Sequence, residues 1–384
     1  MKLATLLPVA LIACARASEV TVNVGSCSDL QAAAEATSTS RVLAVMTSGF
    51  IECDSLTTIE ITNYRLKIVN SEDASSEEFR YGLNLDNIRF LVGSGGLRVD
   101  PEVFIYGNFD SDDLTPFLVN GGLLNVAEGA RVRFMSTVHL GLMTLSSVAA
   151  DGSNATWHGG CVYNQGLIRF EGTTQIYECY TSGGGGGEPG DGNGIWNGAT
   201  GEIVAKGIFG MDSNGEYGEE GIRGGAIYNA GKISLFGSSG FVYNYGGAGG
   251  AIYNEGEFKF LRGSEPNFEG NEAAGNGGHI FNSGDLMFRA ESSFGSGYAE
   301  GNGGAIFNSG ELTMFKFPSF SSNSASANGG AIFSSGPSLV ILESAVYSDN
   351  SAGGDCENIY LEDDTGFVCL PPSSRSLTLL TRMR

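Results

Sequence analysis

The stretch Gly224-Gly225-Ala226-Ile227-Tyr228-Asn229, followed by Ala230-Gly231 and then Lys232-Ile233-Ser234-Leu235, decides the fold. Its first six residues recur along the chain. Gly159-Gly160-Cys161-Val162-Tyr163-Asn164 precedes it; GGAIYN returns at 249–254, GGHIFN at 277–282, GGAIFN at 303–308 and GGAIFS at 329–334. A degenerate copy, GNGIWN, stands at 192–197. The starts are 33, 32, 25, 28, 26 and 26 residues apart. Such periods belong to a solenoid, a propeller or an array. A second motif keeps pace: Phe241-x-x-Asn244, Phe268-x-x-Asn271, Phe320-x-x-Asn323 and Tyr347-x-x-Asn350. Phe294 to Gly297 fills the one double gap, with its Asn lost.

Between the two motifs the chain alternates. Lys232-Ile233-Ser234-Leu235, Glu257-Phe258-Lys259-Phe260 and Asp285-Leu286-Met287-Phe288 each place apolar residues at every second position. That is the period of a strand with one buried face. One repeat therefore holds about three short strands: at GGAIYN, after the x-Gly step, and around FxxN. A propeller blade takes four strands over ~40–45 residues. Three strands over 26 residues fit one turn of an all-β, single-stranded, right-handed parallel β-helix, whose coils bury their apolar faces only by stacking. The Gly pairs open each coil where positive φ is needed. Asn164, Asn197, Asn229, Asn254, Asn282 and Asn308 then fall one above another and hydrogen-bond along the stack. Phe241, Phe268, Phe294 and Phe320 stack likewise.

The GGAI and FxxN pair resembles the repeat of the chlamydial polymorphic outer membrane proteins. It is also similar to the repeats of secreted right-handed β-helix proteins of the pectin-lyase-like class. The resemblance covers 159–350, and Gly353 to Cys369 looks like a terminal repeat of such a family. It implies a pectin-lyase-like solenoid at a cell surface and no particular activity. The chlamydial proteins add a C-terminal β-barrel; the 15 residues after Cys369 are too few for one, so an anchored autotransporter is not expected.

The expected layout has four parts. Residues 1–17 read as a signal peptide: Lys2, an apolar run from Leu3 to Ala15, and Ala15-Arg16-Ala17 before cleavage. The run is shorter than the ~20 residues that span a bilayer, so no transmembrane anchor is expected. Residues 18–40 form an N-terminal cap, with a capping box at Ser28-Asp29-Leu30-Gln31 and a short helix through Ala32-Ala33-Ala34 that covers the first coil. The β-helix runs over 41–365, with weaker strands at Val42–Met46, Ile59–Thr62, Leu66–Val69, Ile88–Val92 and Val103–Tyr106. Residues 366–384 are a closing segment and, from Pro371, a disordered tail. Cys14 leaves with the signal, and six Cys permit 15 connectivities; proximity favours Cys27–Cys53, Cys161–Cys179 and Cys356–Cys369. Such bonds persist outside the cytosol. Asn154-Ala155-Thr156 is a glycosylation sequon.

Of 384 residues 59 are Gly, and 43 acids face 21 bases for a net charge of −22. That balance argues against nucleic acid and anionic membrane as partners. No cofactor or metal is expected. His139 and His158 lack ligand spacing, His279 stands alone, and no calcium nonapeptide is intact. Of the polygalacturonase signatures only paired Asp occurs, at Asp112-Asp113 and Asp363-Asp364, and Asp100-Pro101-Glu102 lacks the His of alginate epimerases. Asp110, Asp112 and Asp113, with Arg131 and Arg133 one coil on, come closest to a lyase site. The bland reading of that cluster is a solvated acidic loop, since fold alone does not fix function.

One positive signal remains. If the Ile of each GGAI strand points inward, the next residue points outward. Tyr163, Trp196, Tyr228, Tyr253, Phe281, Phe307 and Phe333 then form an aromatic stripe. It would stack on sugar rings or meet another protein. The competing reading, favoured by how often aromatics are core, is that the stripe packs inward or lies under a loop. The expected function is that of a secreted, non-catalytic surface, wall or matrix interaction protein, with polysaccharide or a surface protein as partner. The alternative is a divergent polysaccharide lyase or hydrolase.

Overall fold

In this computed structural model, residues 18–71, 82–107, 122–146, 158–182, 191–215, 221–363, 366–370 and 379–382 are described. Residues 1–17, 183–190 and most of 371–384 lie outside them. The chain winds into a parallel β-helix with three main faces. The GGAI face holds three-residue strands such as Ile227–Asn229, Ile252–Asn254 and Ile280–Asn282, paired in unbroken parallel register. The x-Gly step turns the chain onto a second face of 13 strands, from Glu19–Val24 to Leu379–Arg382. The FxxN face follows, with strands such as Ser239–Val242 and Pro266–Glu269. In the later coils a two-residue step after the second Asn, as at Glu272–Ala273 and Tyr298–Ala299, adds a fourth narrow sheet. The sequence reading of three strands per coil lacks that step. Near the N-terminus Phe50–Ile61 and Leu83–Val92 run without a break around the corner from the FxxN face to the GGAI face.

The glycine pairs serve two purposes. The first Gly of every copy has φ between +63° and +73°, a conformation that L side chains avoid. The second Gly is needed for close stacking: a Cβ on Gly278 would lie 2.2 Å from the Gly304 carbonyl oxygen of the next coil. Inside, Ile195, Ile227, Ile252, Ile280, Ile306 and Ile332 are fully buried in one column. The rings of Phe241, Phe268, Phe294, Phe320 and Tyr347 stack with centroids 4.7, 5.0, 4.7 and 5.3 Å apart.

Two polar ladders run through this apolar core. In the first, each Asn side-chain amide donates to the next Asn oxygen, from Asn164 through Asn308, at 2.7–2.8 Å. Ser334 accepts the last donor at 3.0 Å. The second ladder links Asn214, Asn244 and Asn271, and resumes at Asn323, Asn350 and Asn358. The gap is the coil that carries Gly297. His279, a buried side chain, fills it: Asn271 Nδ2 donates to Nδ1 at 2.9 Å, and Nε2 lies 3.2 Å from Asn323 Oδ1. These partners place the ring proton on Nε2. A Cβ at 297 would sit 2.6 Å from that nitrogen. The His and the Gly are therefore one substitution in two places.

Both ends are closed. The helix spans Cys27–Glu35, and its N-cap is Ser26. The capping box expected at Ser28 thus starts two residues earlier: Ser26 Oγ accepts from Asp29 N, and the Asp29 carboxylate accepts from Gly25 N. The Ser26 hydroxyl, which donates to the same carboxylate at 2.7 Å, and then the Gly25 amide hold the Asp29 carboxyl below its usual range. Leu30, Ala33 and Ala34 bury the helix face over the first coil. Cys27–Cys53 ties the cap to that coil, Cys161–Cys179 ties a GGAI opening to an FxxN strand, and Cys356–Cys369 ties the antiparallel closing hairpin. The expected disordered tail contains a strand. Leu379–Arg382 pairs antiparallel with Ser338–Ile341 and covers the last open edge of the second face.

His279→Ala removes one of two partners from the Asn271 amide, which keeps Phe241 O, and from the Asn323 oxygen, which keeps Gly297 N. With the cavity it opens, it should destabilise by about 2–3 kcal/mol in denaturant unfolding. His279→Ala with Gly297→Asn restores the repeat's own residues and should recover part of that loss, the remainder going to the Gly304 carbonyl, which lies 2.6 Å from a Cβ at 297 and must shift. Burial pushes the His279 imidazole down to about 3, while the unfolded chain protonates near 6.5. The unfolded state then binds more protons between these values, so stability from this group is complete above about 6.5 and falls as pH drops toward about 3. The double variant should show a flatter stability slope between about pH 6.5 and 5.

Candidate functional site

The GGAI strands send Ile inward and the following aromatic outward, and the parallel register aligns those aromatics. Tyr163, Trp196, Tyr228, Tyr253, Phe281, Phe307 and Phe333 form one column, with centroids 4.4–6.0 Å apart and planes within 17°. The rings point away from the core, contrary to the reading that packed them inward. Each covers part of its neighbours, so most are half-buried, with Tyr228 and Phe333 at 6% exposure. The column continues where the motif lapses. Tyr360 stacks on Phe333, and Phe367 on Tyr360, each at 4.9 Å. Ile359-Tyr360 repeats the Ile-aromatic pair, a signal present in the sequence; Phe367 joins through the antiparallel hairpin, which has no repeat signature.

A polar cluster sits at the N-terminal end of the stripe. Arg223 binds Asp191 with two nitrogens, at 2.9 and 2.6 Å, and reaches Glu255 at 3.3 Å. Its guanidinium lies over the Tyr228 and Tyr253 rings, 4.8 and 5.3 Å from their centroids. The hydrogen bond to Asp191 raises the Arg223 pKa. The Tyr228 hydroxyl donates to Glu255 at 2.5 Å; burial, then this bond, holds the phenol above its ordinary range. His158 packs against Trp196 and its Nδ1 accepts from the Asp191 amide; burial holds its imidazole below the usual value. Asp191 is the buried hub of this cluster. Its members come from four coils, so no local motif announces them.

The other expected positions fall elsewhere. Arg131 and Arg133 lie on the second face, and Asp110, Asp112, Asp113 and Asn154 lie outside the described residues. His139 stacks on Phe104 at 4.3 Å. Among the described residues no group of three or more His, Cys, Asp or Glu is placed to hold a metal ion. No helix among them is long and apolar enough to cross a membrane. No protein-family model, no curated protein and no solved structure matches the chain.

Asp191 depends on Arg223. Arg223→Ala removes two side-chain donors from a buried carboxylate, which keeps the Arg223 backbone amide, and should cost about 2 kcal/mol in denaturant unfolding. Lys259→Ala, which breaks a more exposed pair with Glu257, should cost under about 1 kcal/mol.

Proposed function

We propose that this is an exported surface, wall or matrix interaction protein that binds through its aromatic stripe and performs no chemistry there. One observation carries the reading: nine aromatic rings, Tyr163 through Phe367, stand in a single outward column. Aromatic faces meet the C–H faces of sugars and the apolar parts of proteins alike. Export is supported by the apolar leader and by three disulfides. Kinship with the polymorphic outer membrane protein repeat is proposed on the GGAI and FxxN motifs. The polar cluster favours a second reading, a divergent polysaccharide lyase or hydrolase. Acids, Arg and His meet there on one outward face, as such chemistry requires. Against it, Arg223 is engaged by Asp191 and Glu255, and the raised Tyr228 phenol is a poor base.

Trp196 lies within the stripe and reports on its occupancy. Titration with neutral wall oligosaccharides should change its fluorescence. Phe281→Ala with Phe307→Ala should weaken binding about tenfold, from ~1 kcal/mol or more of lost stacking. Absence of binding across such a panel, or a variant that binds equally well, would contradict the reading. Product formation from pectate, polygalacturonate or alginate would establish the enzyme instead.

A further inference from the structure

The second face is electrically divided. Its strands lie ~4.8 Å apart, so residues in register form columns. One outward column runs Arg41, Arg65, Gly96, Arg131, and its neighbour runs Lys67, Arg98, Arg133, Arg169. Farther along, the first column turns acidic, with Glu202, Glu257, Asp285 and Glu311 broken only by Lys232. Gly96 interrupts the first column, and a groove of about 860 Å³ opens there. Arg41, Arg65, Arg98, Arg131, Arg133 and Arg169 all line it. Six of the chain's 21 bases thus converge on one groove in a protein of net charge −22.

Part of this charge is answered. Arg98 and Lys67 pair with Asp100, and Arg133 pairs with Glu171. Arg41, Arg65, Arg131 and Arg169 form no ion pair among the described residues, and all four are exposed. Gathered like charges repel, and an anion seated among them relieves that repulsion. Guanidinium forks suit carboxylate and sulfate, which they bind with paired hydrogen bonds.

We propose that this groove binds a short anionic oligosaccharide, whose carboxylates or sulfates are held by Arg41, Arg65, Arg131 and Arg169. Taken together, the two columns put at least one cation on every coil from Arg41 to Arg169, in line, as a linear polymer with regularly spaced charges requires. Asn63 and Ser94 add polar groups suited to sugar hydroxyls. Single-stranded nucleic acid fits less well, because it binds on several stacking aromatics and only Tyr64 among the lining residues is aromatic. The acidic remainder of the chain does not forbid the ligand, since at physiological salt its field is screened beyond ~8 Å. This site is separate from the stripe and does not rest on the reading given for it.

Calorimetric titration of the full chain tests the proposal. The probes are a galacturonate tetramer, a heparin-type sulfated tetrasaccharide, a neutral glucose tetramer and a single-stranded oligodeoxynucleotide of equal charge. At least one acidic sugar should bind, and bind more weakly as salt rises; which one binds separates carboxylate from sulfate. Arg65→Gln with Arg131→Gln should weaken it about tenfold or more at unchanged thermal stability. Phe281→Ala with Phe307→Ala, and Glu257→Gln with Asp285→Asn, should leave it unaltered. The proposal fails if neither acidic sugar binds, if the neutral tetramer binds equally, or if the oligonucleotide binds more tightly. It also fails if the Arg variant keeps full affinity, or if the Arg changes abolish only a salt-sensitive self-association.

Discussion

A buried amide must have a partner, and here each partner lies one coil away. The first Asn ladder sets the register of the whole GGAI face. Its donors and acceptors meet at 2.7–2.8 Å although the sequence distance between them varies from 25 to 33 residues. Extra length is therefore taken up in the turns, outside the ladder. A one-residue slip would send Asn outward and the aromatics inward, stranding polar groups in the core. Where the second ladder loses an Asn, at Gly297, the chain supplies His279 from a neighbouring strand. The repair shows how costly an open rung is in a core this apolar.

Fixed register has a consequence on the outside. Any residue type favoured at one outward position is copied along the rod, so faces become columns of one chemistry. The aromatic stripe is one such column; the Arg groove and the acidic run beyond it are parts of another. Net charge averages over these columns and conceals them. A chain at −22 still gathers six arginines around Gly96, because parallel pairing stacks Arg65, Arg131 and their neighbours while acids collect at other coils. The charge argument drawn from composition holds for the molecule at long range and not for the groove.

Much of the fold was legible because the repeat is simple. The Gly pairs, the Asn column, the Phe stack and the seven stripe aromatics follow from period-two alternation and a fixed coil length. What was not legible depends on contacts between coils that carry no repeat. Asp191, Arg223 and Glu255 meet across successive coils, and His279 looks like an isolated oddity until Gly297 is set beside it. The groove has no signature in the sequence because its arginines belong to the diverged early coils, where GGAI and FxxN are absent. The left-handed residue before each second Asn, Tyr243 and Ser322 among them with φ near +55°, is equally unmarked, since only Gly270 advertises it. The strand Leu379–Arg382 was hidden because an edge recruits it and no pattern of its own marks it.

The central claim is that stacked amides hold the coils in register, and side-chain hydrogen exchange measures it most directly. Followed by NMR, the Nδ2 protons of Asn197, Asn229, Asn254 and Asn282 should exchange only on global unfolding, as slowly as the slowest backbone amides of the core. The amide of exposed Asn267, whose side chain is engaged only through its oxygen, should exchange freely. Rapid exchange of the ladder amides in the folded protein would contradict the account, for it would mean that the coils are held together without them.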